Sequence, residues 1–121
     1  MNLYGNNITT LDSKTFYSNT RLYWLFLSRN GITDLHQSTF QKNVRLNQIY
    51  MYGNIIISLH PDLFKNSVDL KNDYAENYRI KDIRPSTFKN NSRLPYLDIS
   101  RNQMTFIYPS MFIHNKELKL L

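Results

Sequence analysis

The side chains of this chain that offer chemistry are aromatic and basic. Nine tyrosines, seven phenylalanines and one tryptophan make up 14% of 121 residues, and several recur in alternation: Trp24 with Phe26, then Tyr50 with Tyr52. Side chains two apart on an extended segment share one face. Each pair therefore offers a flat amphipathic surface, of the residue types that supply most of the energy at interface centres. Tyr96 stands further along in the same pattern, and Arg29 and Arg101 follow two such stretches as donors suited to an acidic group.

Other chemistries lack their parts. With no cysteine, disulfides, thiolate catalysis and cysteine-based zinc sites are excluded. His36 and His60 lie 24 residues apart without a column of carboxylates beside them, a poor metal site. No glycine-rich phosphate loop, nucleophile elbow or zincin motif occurs, so neither catalysis nor a cofactor is expected. The longest apolar run, Leu22 to Leu27, is far too short to span a bilayer, and no membrane contact by this segment is expected. The opening "MNLYGNN" has neither a charged leader nor an apolar stretch, so nothing in it directs secretion.

What positions the aromatics is a repeat. Phe16, Phe40, Phe64, Phe88 and Phe112 are each 24 residues apart. The same period runs through Leu22, Leu46, Leu70, Leu94 and Leu118, through Leu11, Leu35, Leu59, Ile83 and Ile107, and through Ile8, Ile32, Ile56, Ile80 and Met104. An asparagine column, Asn6, Asn30, Asn54 and Asn102, is interrupted by Tyr78. A fixed period in this range means a solenoid. Leu25 and Leu27 alternate with Trp24, Phe26 and Ser28, so each unit supplies one short strand, and stacked units form a parallel sheet about 4.8 Å per strand. The asparagines turn the chain after the strand, and the Phe column closes the convex side. The returning segments are too short and polar for full helices, which predicts irregular turns or a single 3₁₀ turn.

One unit reads "LYWLFLSRNGITDLHQSTFQKNVR", and through Leu22, Leu25, Leu27, Asn30, Ile32, Leu35 and Phe40 it resembles the 24-residue form of the leucine-rich repeat family. The resemblance implies an α/β-type solenoid: a right-handed horseshoe with a short parallel β-sheet on the concave face and irregular or 3₁₀ convex segments. Residues 1–121 would form a single array of about five units. The resemblance further implies a protein-binding module, similar to arrays of Toll-type cell-surface receptors and secreted recognition proteins, with an extracellular or cell-surface setting. Its partner-binding residues would be Trp24, Phe26, Tyr50, Tyr52, Tyr96, Arg29 and Arg101, on or beside the concave face. The same rings would stabilise neighbouring strands by roughly 0.2–1 kcal/mol per pair with no partner at all.

Two alternatives stand beside this reading. An aromatic platform stacks sugar rings as readily as side chains, so the surface would also suit a glycan. Met1 and Leu121 fall at strand positions, and solenoids carry polar caps. The chain is thus also readable as a fragment lacking both caps, without independent activity, whose open ends would permit end-to-end association.

The net charge of +6 invites nucleic acid only if the cations cluster. Arg21, Arg45 and Arg93 share one column while Lys14, Lys42, Lys65 and Lys89 lie beside the Phe column, a spread around the rim that argues against nucleic acid. Glycosylation triplets at Asn7 and Asn90 match the roughly two that fifteen asparagines and eighteen serines plus threonines give by chance. Finally, strict periodicity puts Asp73 and Ala75 in the inward leucine columns. A carboxylate there is costly, which favours a slipped register: Tyr74 inward, Asp73 in solvent, Asn77 in the asparagine column and a bulge at Tyr78.

Overall fold

The computed structural model describes residues 1–76 and 79–119. Six short strands occur: β1 (Trp24–Phe26), β2 (Gln48–Tyr50), β3 (Ser58–Leu59), β4 (Asn72–Tyr74), β5 (Asp82–Ile83) and β6 (Tyr96–Asp98). The chain alternates leucine-type and larger polar or aromatic residues at the long strands because one face must enter a core while the other meets water. β1, β2, β4 and β6 form one parallel sheet in that order. Every pairing between these strands joins residues one 24-residue period apart, as in Leu25 with Ile49. Single bridges from Asn2 to Phe26 and from Tyr96 to Lys119 continue the sheet on both sides.

β3 and β5 form a second, two-stranded parallel sheet on the outgoing edge of the coils. The one-strand-per-unit reading does not contain it. It arises where the chain stays extended after the asparagine turn, directing Leu59 and Ile83 into the core.

The columns fuse into one core. Leu25, Leu27, Ile49, Met51, Ile32, Ile56, Leu46 and Leu70 are at most 1% exposed. Phe16, Phe40, Phe64 and Phe88 stack with ring centroids 5.9, 5.8 and 5.8 Å apart, close to the spacing of the coils that carry them. Ile107 departs from its column and is 55% exposed, since among the described residues no further coil lies over it. The convex segments contain successive i→i+3 turns, for example Asp12 O to Thr15 N and Phe16 O to Asn19 N, both 3.0 Å. Among the described residues there is no helix.

Two asparagine ladders take up the backbone groups that these turns free. Asn54 Nδ2 donates to Leu27 O and Met51 O at 3.0 and 2.8 Å, while its Oδ1 accepts from Ile32 N at 3.2 Å. Asn30 and Asn102 repeat the arrangement. On the convex side Asn43, Asn91 and Asn115 each donate to two carbonyls of the preceding coil. At the concave turn an amide is suited because it donates and accepts at one end of a short side chain; on the convex side only the donors of Asn43, Asn91 and Asn115 are used, and their buried Oδ1 atoms accept no hydrogen bond.

The slipped register is not what forms. Asp73 pairs with Ile49 on one side and Leu97 on the other, and Tyr74 pairs with Tyr50 and Asp98. Ala75, 1% exposed, occupies the inward position of Leu27 and Met51. A slip would forfeit ladder bonds to both neighbouring strands, each worth about 1 kcal/mol net. It would also put a tyrosine where the column packs an alanine. Strict periodicity of the backbone register therefore holds through Asp73. Asn77 and Tyr78, the proposed ladder residue and bulge, lie outside the described residues.

Candidate functional site

The strand positions that alternate with the leucine columns, and the residue two beyond each strand, form three columns across the concave face. One holds Trp24, Gln48, Asn72 and Tyr96; the next holds Asn2, Phe26, Tyr50, Tyr74 and Asp98; the last holds Tyr4, Ser28, Tyr52, Glu76 and Ser100. In the middle column Phe26 and Tyr50 stack with centroids 4.7 Å apart and planes 10° from parallel. The Tyr50 hydroxyl donates to Gln48 Oε1 at 2.9 Å. With the register unslipped, Tyr74 takes the position after Tyr50 in this row.

In the last column Tyr4 and Tyr52 belong to coils two spacings apart, about 9.6 Å at the backbone, yet their rings meet at 6.3 Å. The intervening residue, Ser28, is small and only 1% exposed, so the two rings close above it. A side-chain hydrogen bond with Tyr4 pushes the Tyr52 phenol above its ordinary pKa, helped by burial, while nearby Arg29 works against it.

Arg29 reaches this cluster because of its backbone. The residue after the third column has positive φ at each position that is described: Gly5 at 68°, Arg29 at 53°, Gly53 at 71° and Arg101 at 54°. Glycine suits such a position and arginine does not. The left-handed turn nevertheless leaves the Arg29 guanidinium 5.9 Å from the centre of the Tyr4 ring. At Gly53 an added Cβ would lie 3.3 Å from Arg29 Cγ, so the glycine also leaves room for the neighbouring arginine.

Of the seven residues singled out from the sequence, the structure thus gathers Phe26, Tyr50, Tyr52 and Arg29, with Trp24 two residues before Phe26 on the same strand face. Trp24 is 52% exposed and packs edge-on against Tyr23 at 5.2 Å. Tyr96 stands apart, three coils from Trp24, roughly 14 Å along the column. Arg101 pairs with Glu76 at 3.2 Å, so it is already engaged by an acid of its own chain. Tyr4 and Glu76 are additional members that the sequence reading did not single out as site residues. Their place in the column of Tyr52 was the available signal.

His36 and His60 serve as turn caps. Their Nδ1 atoms accept from Ser38 N and Asp62 N, each at 3.1 Å, as Asp12 Oδ1 accepts from Lys14 N at 2.8 Å. The ring proton therefore sits on Nε2, and ligating a metal through Nε2 would require giving up the cap. Among the described residues no group of three or more ligand side chains could hold a metal ion, and no helix is long and apolar enough to cross a membrane.

The family profile for leucine rich repeats matches residues 1–56, 20–72 and 75–121. The chain belongs to the leucine-rich repeat family. No curated protein sequence matches it at a significant level. Among solved structures, this leucine-rich repeat chain is similar to the leucine-rich repeat domain of APL1B, with a TM-score of 0.88, 25% identity, 98% of the chain covered and 34% of that protein. It is also similar to the octameric complex of latrophilin 3, Unc5D and the leucine-rich repeat protein FLRT2, at a TM-score of 0.86, 26% identity, and 98% and 36% coverage. TLR13, solved in complex with single-stranded RNA, shares the fold at a TM-score of 0.88 and 23% identity, over 97% of this chain and 16% of that one. The repeat array thus spans about a third or less of these proteins' lengths. The comparisons give no support to the exclusion of nucleic acid.

Proposed function

We propose that this leucine-rich repeat array is a protein-recognition module of a receptor-like or secreted protein, and that its concave aromatic cluster is the contact surface. The observation that carries this reading is the group of exposed Trp24 and Phe26 with half-buried Tyr50, beside the Tyr4–Tyr52 pair under Arg29. Contiguous exposed aromatics next to an arginine have the composition of an interface centre. Burying such rings against a partner removes apolar area from water that the fold alone leaves wet. Protein complexes among the solved neighbours, such as that of FLRT2 with latrophilin 3 and Unc5D, support the same kind of role.

The test is capture of a protein ligand from extracellular material by the immobilised chain, followed by affinity measurement. Trp24→Ala with Tyr50→Ala should weaken binding by about 100-fold or more, given roughly 2 kcal/mol for each centre residue. Tyr96→Ala, remote from the cluster, should change it less than threefold. Unchanged affinity in the double variant would remove the concave face from the reading.

A further inference from the structure

The coil geometry gathers charge that looks scattered along the sequence. The segments 20–23, 44–47, 68–71, 92–95 and 116–119, which lead into the concave strands, hold six Lys or Arg and two Asp or Glu, a net +4 of the chain's +6. The opposite lateral segments, 10–13, 34–37, 58–61, 82–85 and 106–109, hold one Arg and three Asp, a net −2. Along the basic edge Arg21, Arg45, Lys71, Arg93 and Lys119 supply one cation per coil, a row roughly 19 Å long at the sheet spacing.

A groove of about 390 Å³ lies in this row, lined by Tyr23, Arg45, Asn47, Asp69, Lys71 and Arg93. Among the described residues the one ion pair in the row is Arg93 with Asp69, 3.6 Å apart with both side chains more than half exposed. So weak a pair opens at little cost. Tyr23, 45% exposed, presents a ring at the end of the groove.

We propose that this edge binds a linear polysaccharide bearing carboxylate and sulfate groups, of the heparin type. The row is one cation wide, which fits a single chain and not a broad face such as a duplex. Arginine forks match carboxylate-like anions in bidentate fashion. A heparin-type chain carries hydroxyls between its anionic groups, so Asp69 can accept from one of them, a hydroxyl donor that a plain polyphosphate or polyglutamate strand does not offer. Tyr23 offers a stacking face that a pyranose ring can use. The site adjoins the concave cluster where Tyr23 packs on Trp24, but its cations lie outside that cluster and the proposal does not rest on it.

The full 121-residue chain should be titrated with a heparin octasaccharide, following the fluorescence of Trp24, which packs against Tyr23. Saturable binding that weakens with salt is expected. Arg45→Ser with Lys71→Ser should reduce affinity at least tenfold and Tyr23→Ala at least threefold. Arg45→Lys keeps the charge but loses the fork, so its affinity should fall between those of the unaltered chain and the double serine variant, and an unchanged urea midpoint in each variant should report that the fold is intact. Lys42→Ser with Lys89→Ser on the convex side, and Phe26→Ala with Tyr50→Ala on the concave face, should leave it unchanged. Absence of binding, an equal loss in the convex variant, or tighter binding of octauridylate or octaglutamate than of the octasaccharide would overturn the proposal.

Discussion

The second and third coils differ from the fourth in what they place at the inward strand positions. In the former these are Leu25, Leu27, Ile49 and Met51, all at most 1% exposed. In the fourth coil the same two positions fall on Asp73 and Ala75, yet β4 is held between β2 and β6 without a shift. Register is therefore not decided by the strand residues alone. The columns on either side of the strand continue through the fourth coil unbroken, as Leu70, Ile80, Ile83 and Phe88, each at most 1% exposed. Burying side chains of this size contributes roughly 1.5–3 kcal/mol apiece, enough together to hold a three-residue strand in place. The outward face follows the same division. The early coils carry stacked aromatics, while the later ones carry Glu76 and Asp98 beside the isolated Tyr96, with Glu76 engaged by Arg101.

The asparagine ladder gives the sharpest way to break this comparison. Asn54, 3% exposed, serves Leu27 O, Met51 O and Ile32 N between the early coils. Removing its amide orphans three buried backbone groups at about 1–3 kcal/mol each, so Asn54→Ala should cost about 4 kcal/mol in urea unfolding. Asn102 makes the equivalent bonds to Ala75 O, Ile99 O and Ile80 N, but in a half-buried setting that water can reach. Asn102→Ala should cost about 1–2 kcal/mol. Equal losses would mean that the two halves of the array are equally well packed around their ladders.

The difference between the halves also shows what a sequence can disclose. Solenoid, period, core columns and asparagine turns were legible because each is a repeated pattern, and five copies of Phe at 24 residues outweigh any local exception. The register at Asp73 was misread because a single residue's burial cost was weighed against nothing. The opposing quantity, two flanking ladders, appears only once the strand has neighbours. For the concave face, the pairing of Phe26 with Tyr50 follows from one period. The closure of Tyr4 on Tyr52 requires knowing that Ser28 between them is buried, and the approach of Arg29 to Tyr4 depends on a left-handed backbone. Glycine at positions 5 and 53 hinted at that conformation, and arginine at 29 and 101 concealed it. Charge was legible only in part: Arg21, Arg45 and Arg93 share a column in the sequence, whereas Lys71 and Lys119 stand two residues outside it and join the row only when the coils are stacked.

A second experiment sharpens the same comparison by making the fourth coil resemble the second. Asp73 shares its register with Ile49 and Leu97, which are 0% and 4% exposed. Asp73→Ile should therefore stabilise the array by about 2 kcal/mol, the value of burying one aliphatic side chain at a register position whose neighbours on both strands are core residues. The gain should appear as a higher urea midpoint with an unchanged slope. A loss of stability would instead mean that Asp73 is held by interactions an aliphatic residue cannot make, and the two coils would then differ in design and not merely in packing quality.

The smallest effect is expected where the aromatic and acidic halves of the concave face meet, at Tyr52. Its phenol titrates above the ordinary value of 10.0, first because of the hydrogen bond with Tyr4, then because of burial and the charge of Tyr4, with a lesser contribution from Glu76 and opposition from Arg29. A raised value means that the folded state holds the phenolic proton more tightly than the unfolded state. The associated stability is present below about pH 10 and is lost as pH climbs through the folded value. Tyr4→Phe keeps the ring beside Tyr52 but removes the hydroxyl, so Tyr52 should ionise at lower pH in an ultraviolet phenolate titration. Glu76→Gln should move it in the same direction by less, and Arg29→Gln should move it the other way. If Glu76→Gln produced the larger change, the fourth coil's acid and not the first coil's tyrosine would govern this end of the aromatic surface, and the boundary between the two halves would lie one coil earlier.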